Sequence, residues 1–420
     1  MTTSRRDFLM SGALAGAAAP FAGVRLAPSW LSADSASLKK LVVIQIRGGW
    51  DYLNFLIQAD HPVYQAARPN IGIPRTSTLQ IEAGLDYYWH PALAPLKDLY
   101  DRGDLAIVNN IGYPNPNLSH FESEKKWYAG DPTVSVLQNG WLARYIQQGY
   151  TGTFPIPAID IEGGLSAAFS GARVPVLTNI AQYAFQYDAA TSADNTLEAA
   201  LLRSNALLLR DPANPDLQHV ASGIVDAVDS SALLQSVGAG YTPAVTYPNN
   251  SLANALQLAA RYIIYDLPTE AYYTSTGGYD THANEVVAAA PHTGTLANNL
   301  AAFAGALKAF LDDVAAQGHG NDVVVMVFSE FSRRLGQNGS LGTDHGHGGV
   351  AFLAGAPVNG GAYGNYPDLS AATTPYNNYY IPFNTLSTDF RSLYATVLER
   401  VFGVNHVPIL GGTFPLLGAL

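Results

Sequence analysis

A chain of 420 residues without a cysteine forms no disulfide and offers no thiolate as metal ligand or nucleophile. Its formal net charge of −11 argues against a basic groove for nucleic acid, while leaving room for a local cationic pocket. The length fits one large α/β domain with insertions better than a string of small modules.

The first residues read as an export address. Arg5 and Arg6, within Ser4-Arg5-Arg6-Asp7-Phe8-Leu9, lead into the apolar stretch Met10 to Phe21, which is too short to span a bilayer as a stable helix. This is the pattern of a twin-arginine signal, with cleavage expected between Ala19 and Ala33, a periplasmic or secreted mature protein, and the twin-arginine export machinery as a partner. A retained N-terminal anchor is the alternative. Residues 1–33 hold Arg5, Arg6 and Arg25 against Asp7, so their removal takes the formal charge from −11 to −13. No later apolar run is long and uninterrupted enough to cross a membrane.

The mature domain is expected to span 34–420. Leu41 to Ile46 is a β-branched run of the kind found in strands covered on both faces, and Arg47-Gly48-Gly49-Trp50-Asp51 closes it with a tight turn. After the amphipathic stretch Ala92 to Tyr100, Leu105 to Asn109 reads as a second strand. A proline-rich loop then leads to a helix starting near Ser119. The stretch 132–245, rich in Gly, Ala, Pro and Ser, reads as a mostly helical insertion with long loops. Ser251 to Tyr262 is helical in pattern and Ala271 to Thr274 is a short strand. Thr293 to Gln317 is the clearest helix, with Leu296, Leu300, Phe303, Leu307 and Phe310 on one side, and Val323 to Phe328 is the clearest buried strand. A further strand is read at Val350 to Leu353 and a last long helix at Thr388 to Phe402. Helix and strand alternate as in a mostly parallel sheet with helices on both faces, a three-layer α/β/α sandwich.

Charged residues make up only 13% of the chain, yet several stand where apolar strands end. In open α/β sheets the ligand crevice lies at the carboxyl ends of the strands. Asp51 ends the first strand, Asp280 and His282 follow the third, Glu330 ends the fourth, and Asp344, His345 and His347 precede the fifth. Carboxylates and imidazoles of this kind suit one or two divalent ions, with zinc, manganese, calcium and magnesium left open. Each has a plainer reading: Asp51 as the cap of a helix from Tyr52, Asp280 as a turn with Thr281, Glu330 paired with Arg333 or Arg334. His90, His219, His319 and His406 lack such a context, and His61 stays open. Ser119 is the candidate nucleophile, because free N–H groups at a helix start stabilise an anion; its plainer reading is a capping box with Glu122. His120 could donate to an oxyanion, and Arg47 or Arg333 could clamp a phosphate or sulfate, unless each merely pairs with a surface carboxylate.

With these residues in place the sequence resembles the exported DUF1501 proteins, within the alkaline phosphatase and sulfatase superfamily. The matching stretches include Arg47-Gly48-Gly49-Trp50-Asp51, Ser119-His120-Phe121, Gly140-Trp141-Leu142-Ala143-Arg144, Gly278-Tyr279-Asp280-Thr281-His282-Ala283-Asn284, Ser329-Glu330-Phe331-Ser332-Arg333-Arg334 and Gly342-Thr343-Asp344-His345-Gly346. The resemblance implies an alkaline-phosphatase-like fold, a metal-binding aspartate at Asp51, a nucleophile at Ser119, and a ligand pair at Asp280 and His282. Glu330-Phe331 stands where the superfamily has Asp-His, and Tyr52 replaces a common glycine, which would crowd the pocket. The function implied is hydrolysis of a phosphate or sulfate ester on a small molecule or polysaccharide. The alternative from another class is a noncatalytic envelope protein that binds polysaccharide or a protein partner, with Tyr272, Tyr273, Tyr376, Tyr379, Tyr380, Trp89, Trp127 and Trp141 available to stack sugars.

Overall fold

Runs of β-branched residues that cannot expose either face are what build the centre of this protein. In the computed structural model, residues 39–152, 154–180, 183, 192–211, 213–371 and 386–420 are described; the signal-like residues 1–33 and Tyr376, Tyr379 and Tyr380 lie outside them. In chain order the elements used below are β1 (Lys40–Ile46), α1 (Pro62–Ala67), α2 (Ala94–Asp101), β2 (Leu105–Asn109), α3 (His120–Ala129), β3 (Ala158–Asp160), α4 (Ser192–Leu208) and α5 (Pro215–Ser236). They continue with α6 (Ser251–Ile264), β4 (Ala271–Thr276), α7 (Thr295–Ala316), β5 (Val323–Ser329), β6 (Ser332–Gln337), β7 (Thr343–Gly346), β8 (Val350–Ala354), β9 (Gly361–Tyr363) and α8 (Phe390–Arg400).

A seven-stranded sheet takes the order β9-β2-β8-β5-β1-β4-β3. The central strands β1 and β5 are buried along their whole length, as strands covered on both faces must be. β1 runs parallel to β4 and β5, whereas β8 is antiparallel to both β5 and β2. Residues 330–349, which join β5 to β8, form the antiparallel pair β6–β7 instead of a crossover helix, and the chain re-enters the sheet in the opposite direction. Register pairs Ile46 with both Thr276 and Ser329, so the carboxyl ends of β1, β4 and β5 lie at one edge.

Helices cover both faces. On one, Leu41, Val43, Val324, Met326 and Phe328 meet Trp127 of α3 and Phe390, Leu393 and Tyr394 of α8. Trp127 stacks on Phe328 with ring centroids 4.7 Å apart. On the other, Trp50 packs edge-on against Phe303 of α7 and Phe352 of β8. The α7 stripe Leu296, Leu300, Phe303, Leu307 and Phe310 is buried, each side chain contributing roughly 1.5–3 kcal/mol. No described helix is long and apolar enough to cross a membrane.

Of the stretch 132–245, residues Ile156–Asn179 belong with the sheet, to which they add β3, while Ile180–Ser236 falls in a second compact unit. Within that unit Arg203 of α4 reaches Asp229 of α5 through Nε at 2.6 Å and Nη2 at 3.0 Å. Val225, Val228 and Leu234 of α5 are buried there.

Candidate metal centre

Two glycines let the end of β1 approach the loops beside it. Gly48, at φ +113°, would place a Cβ 2.5 Å from the Asp280 nitrogen, and Gly49, at φ +60°, would place one 2.3 Å from the Phe331 ring. No L side chain fits either position. After β5, the antiparallel pair β6–β7 sets Arg333 opposite His345 and so brings His345 to the carboxyl edge. From the other side Leu118, Ser119 and His120 arrive at the start of α3.

Three imidazoles converge there on one carboxylate oxygen. Asp280 Oδ1 lies 3.4 Å from His120 Nε2, 3.0 Å from His282 Nε2 and 3.2 Å from His345 Nε2. His282 Nε2 and His345 Nε2 are 2.9 Å apart. Each ring is held from behind through its other nitrogen. Nδ1 of His120 lies 2.6 Å from Glu330 Oε1, Nδ1 of His345 lies 2.6 Å from the Leu118 carbonyl, and Nδ1 of His282 lies 3.2 Å from Asp344 Oδ1. A carbonyl only accepts, so His345 carries its proton on Nδ1 and turns a lone pair inward from Nε2. The Phe331 ring packs against both His120 and His345, with centroids 4.8 and 4.9 Å away.

This arrangement fits a bound cation. His120 Nε2 is buried and makes no hydrogen bond. Nitrogen lone pairs turned toward one another and toward an anion repel unless a cation or shared protons lie between them. His120, Asp280 and His345 offer ligand atoms all within 4.8 Å of one another, and His282 approaches two of those three atoms. A histidine oriented through its second nitrogen is the usual support of a metal ligand.

The charges around the cluster are unevenly set. Partial burial opposes ionisation of Asp280, but Arg333 with its Nη2 2.6 Å from Oδ1, His345 and His282 outweigh it and pull the carboxyl down to about 2. The hydrogen bond to Glu330 raises His120 above the ordinary histidine value against the opposing effect of burial. Burial lowers His345. Asp344 is lowered as well: burial opposes this, and hydrogen bonds from Asn338 and His282 overcome it.

Several expected site residues lie elsewhere or act differently. Asp51, expected as a ligand, is fully buried, and both its oxygens are taken by Arg68, at 2.5 Å from Nη1 and 2.9 Å from Nη2. A carboxylate at that depth needs a paired cation, and no sequence pattern marked Arg68 as the one. Glu330, also expected as a ligand, is buried behind His120; its Oε1 accepts from Gly48 N at 2.9 Å and its Oε2 from Ser329 Oγ at 3.0 Å. It does not pair with Arg333 or Arg334. Asp344, about one-third exposed, stands behind His282, and His120, expected to donate to an oxyanion, turns its Nε2 toward Asp280. His347 is not among the three residues whose ligand atoms all lie within 4.8 Å of one another.

Arg333 is no free clamp. Its Nε donates to Gly49 O at 2.5 Å, its Nη1 to Thr343 O at 3.1 Å, and its Nη2 to Gly48 O, Tyr279 O and Asp280. Arg47 turns to Glu162 Oε2 at 3.0 Å and lines a cavity of about 320 Å³ shared with Thr178, Ser251, Asn254 and Thr274. Ser119 sits at the N-cap position of α3 without a side-chain capping bond, so the capping box of its plainer reading does not form. Tyr52 does not crowd the pocket: it is buried, with its hydroxyl 2.8 Å from Asn109 Oδ1. His61 and His90 both cap short helices, accepting at Nδ1 from Val63 N at 3.2 Å and Ala92 N at 3.0 Å. His406 pairs with Glu399 at 2.6 Å and His319 with Asp322 at 3.1 Å, in keeping with structural roles. Tyr272, Tyr273, Trp89, Trp127 and Trp141 are core residues, buried and closed to a sugar.

No curated protein matches this sequence. Solved structures with a similar course include a protein in the alkaline phosphatase superfamily from Vibrio parahaemolyticus, at 12% identity and TM-score 0.43, covering 91% of this chain and 71% of that one. The lipoteichoic acid synthase LtaP from Listeria monocytogenes is similar at 9% identity and TM-score 0.41, over 93% of this chain and 78% of that one. The C-terminal periplasmic domain of EcEptC from Escherichia coli, solved in complex with zinc, follows at 10% identity and TM-score 0.32, over 77% and 75%. The sequence pattern of the family described as "Protein of unknown function (DUF1501)" matches residues 107–410, a span holding every residue of the imidazole cluster, and the chain is a member of that family.

Proposed function

We propose that this protein is an exported, metal-dependent hydrolase of phosphate or sulfate esters. The observation that supports the reading is the convergence of three oriented Nε2 atoms on Asp280, with His120 Nε2 itself buried and making no hydrogen bond. The donor set is His120, His282, His345 and Asp280. Mixed imidazole and carboxylate donors favour zinc, manganese or iron over calcium and magnesium, which prefer oxygen throughout. A divalent ion held there supplies Lewis acidity toward an ester oxygen and offsets the charge of the substrate anion.

The chain itself supplies the nucleophile and its setting. Ser119 lies between Leu118, whose carbonyl holds His345, and His120, and its hydroxyl is not spent on capping. The free N–H groups in the first turn of α3 favour an anion at that point. Attack by Ser119 Oγ forms a bond to phosphorus or sulfur while the bond to the leaving alcohol oxygen breaks, and water later cleaves the seryl ester. Glu330, Asp344 and the Leu118 carbonyl keep the three rings from turning during this cycle.

The test is elemental analysis of protein prepared without chelator, alongside turnover of an aryl phosphate and an aryl sulfate. Wild type should hold metal and hydrolyse one ester, and His345→Ala should lose both. Metal-free wild type that turns over neither ester would favour the noncatalytic binding protein instead. Export by the twin-arginine route rests on Arg5 and Arg6; replacing both with lysine keeps the charge but loses the guanidinium fork, and the variant should accumulate in the cytoplasm. Normal export of that variant would refute the route.

A further inference from the structure

Beneath the imidazole cluster lies a second group of ionisable side chains that the chemistry proposed above does not use. Asp51, Arg68 and Glu285 are all buried, as are Asn54, Thr281 and Thr343 around them. Asp51 pairs with Arg68 and is also hydrogen-bonded to the Glu285 carboxyl. Glu285 is left to bridge the surrounding loops. Its Oε2 accepts from Thr281 Oγ1 at 3.1 Å and from Thr343 Oγ1 at 3.0 Å, and its Oε1 accepts from Asn54 Nδ2 at 3.2 Å.

The two threonines are placed where they matter. Thr281 separates Asp280 from His282, and Thr343 directly precedes Asp344 and His345. One carboxyl oxygen therefore joins the two segments that carry most of the cluster. Backbone bonds run beside it: Thr343 N to Thr281 O at 3.1 Å, Glu285 N to Leu341 O at 2.8 Å and Asn284 N to Ser340 O at 2.9 Å.

We infer that Glu285 is a positioning residue whose carboxyl clamps the Asp280–His282 segment to the Asp344–His345 segment and so holds His282 and His345 at their close Nε2 separation. Burial, with the Asp51 charge added, raises the Glu285 carboxyl well above the usual range. Glutamine, which keeps the shape and an oxygen to accept from both threonines, is the conservative replacement. The inference shares with the proposed function only the assumption that the cluster binds metal, and its geometric readout stands without that assumption.

The experiment compares full-length wild type, Glu285→Ala, Glu285→Gln and Thr343→Val. Zinc alone is the probe, titrated against a chromophoric chelator, with circular dichroism as a check on folding. Loss of a residue that orients ligands lowers metal affinity by about 10–100-fold. Glu285→Ala should fall in that range, Glu285→Gln should return to within about threefold of wild type, and Thr343→Val should lose about tenfold because it removes one arm of the clamp. Wild-type affinity in Glu285→Ala or in Thr343→Val, or a loss in Glu285→Gln as large as in Glu285→Ala, would overturn the inference; Thr343→Val decides it should Glu285→Ala fail to fold. Wild type that binds no zinc sinks the metal reading alone. The clamp is then read from the imidazole tautomers by nitrogen-15 NMR: His282 and His345 should be Nδ1–H in wild type and Glu285→Gln and mixed in Glu285→Ala. Unchanged tautomers in Glu285→Ala or Thr343→Val would overturn it.

Discussion

Glu330→Gln isolates the charge behind His120 while keeping its shape. The buried carboxylate holds His120 Nδ1 at 2.6 Å and also accepts from Gly48 N and Ser329 Oγ, contacts that a glutamine can largely reproduce. What is lost is the charge assistance. A hydrogen bond to an ionised group contributes ~1.5–3 kcal/mol against ~1 kcal/mol for a neutral one, so the substitution costs the oriented ring about 1 kcal/mol. That corresponds to roughly a fivefold weaker zinc affinity at pH 8, measured by chelator competition. The pH dependence sharpens the test, because a proton and a metal ion compete for the same His120 Nε2. Glu330 raises the proton affinity of His120 as well, so the gap between wild type and variant should narrow as the medium is acidified. In metal-free protein the sign follows from linkage: a histidine raised on folding contributes stability that is complete below its unfolded value and fades as pH rises through its folded value. Wild type should therefore exceed Glu330→Gln in metal-free stability most clearly at acidic pH. Equal zinc affinity at pH 8, or a gap that widens on acidification, would refute the reasoning.

Three further outcomes follow from the same geometry. Asp51→Ala leaves the buried Arg68 guanidinium uncompensated and should cost ~3–5 kcal/mol in denaturant unfolding, and an unchanged midpoint would contradict the closed pair. Ser119→Ala should keep bound metal and lose less than ~1 kcal/mol of stability, because no capping bond is present to lose, while ester hydrolysis drops by orders of magnitude; retained turnover would assign attack to water. Asp280, depressed to about 2, contributes stability that is present above its unfolded value near ~3.9 and is lost as pH falls through about 2. Asp280→Asn should accordingly flatten the acid side of the metal-free stability profile, and an unchanged slope would argue against the Arg333 and histidine contacts.

Local pattern alone was enough to locate the sheet strands β1, β2, β4, β5 and β8 and the long helix α7. Their composition leaves no alternative: a run such as Val323 to Phe328 can only be buried on both sides, and a stripe such as Leu296 to Phe310 must face a core. The same logic brought out Asp280, His282 and His345, because polar residues at the ends of apolar strands share one edge of a parallel sheet. The division of labour among those residues was decided elsewhere. Arg68 lies 17 residues from Asp51, and only the fold brings it alongside to close that carboxylate in an ion pair. His120 and Glu330 are 210 residues apart, and only the fold sets the Glu330 carboxylate 2.6 Å from His120 Nδ1. Glu285 closes the loop run that starts at Gly277 and has no role legible there, because the two threonines its carboxyl accepts from, Thr281 and Thr343, are brought to it by tertiary packing. Sequence determines which side chains can bind, attack or be buried; which of them are left with an unspent lone pair depends on partners far along the chain, and those are assigned only when the strands and loops have packed.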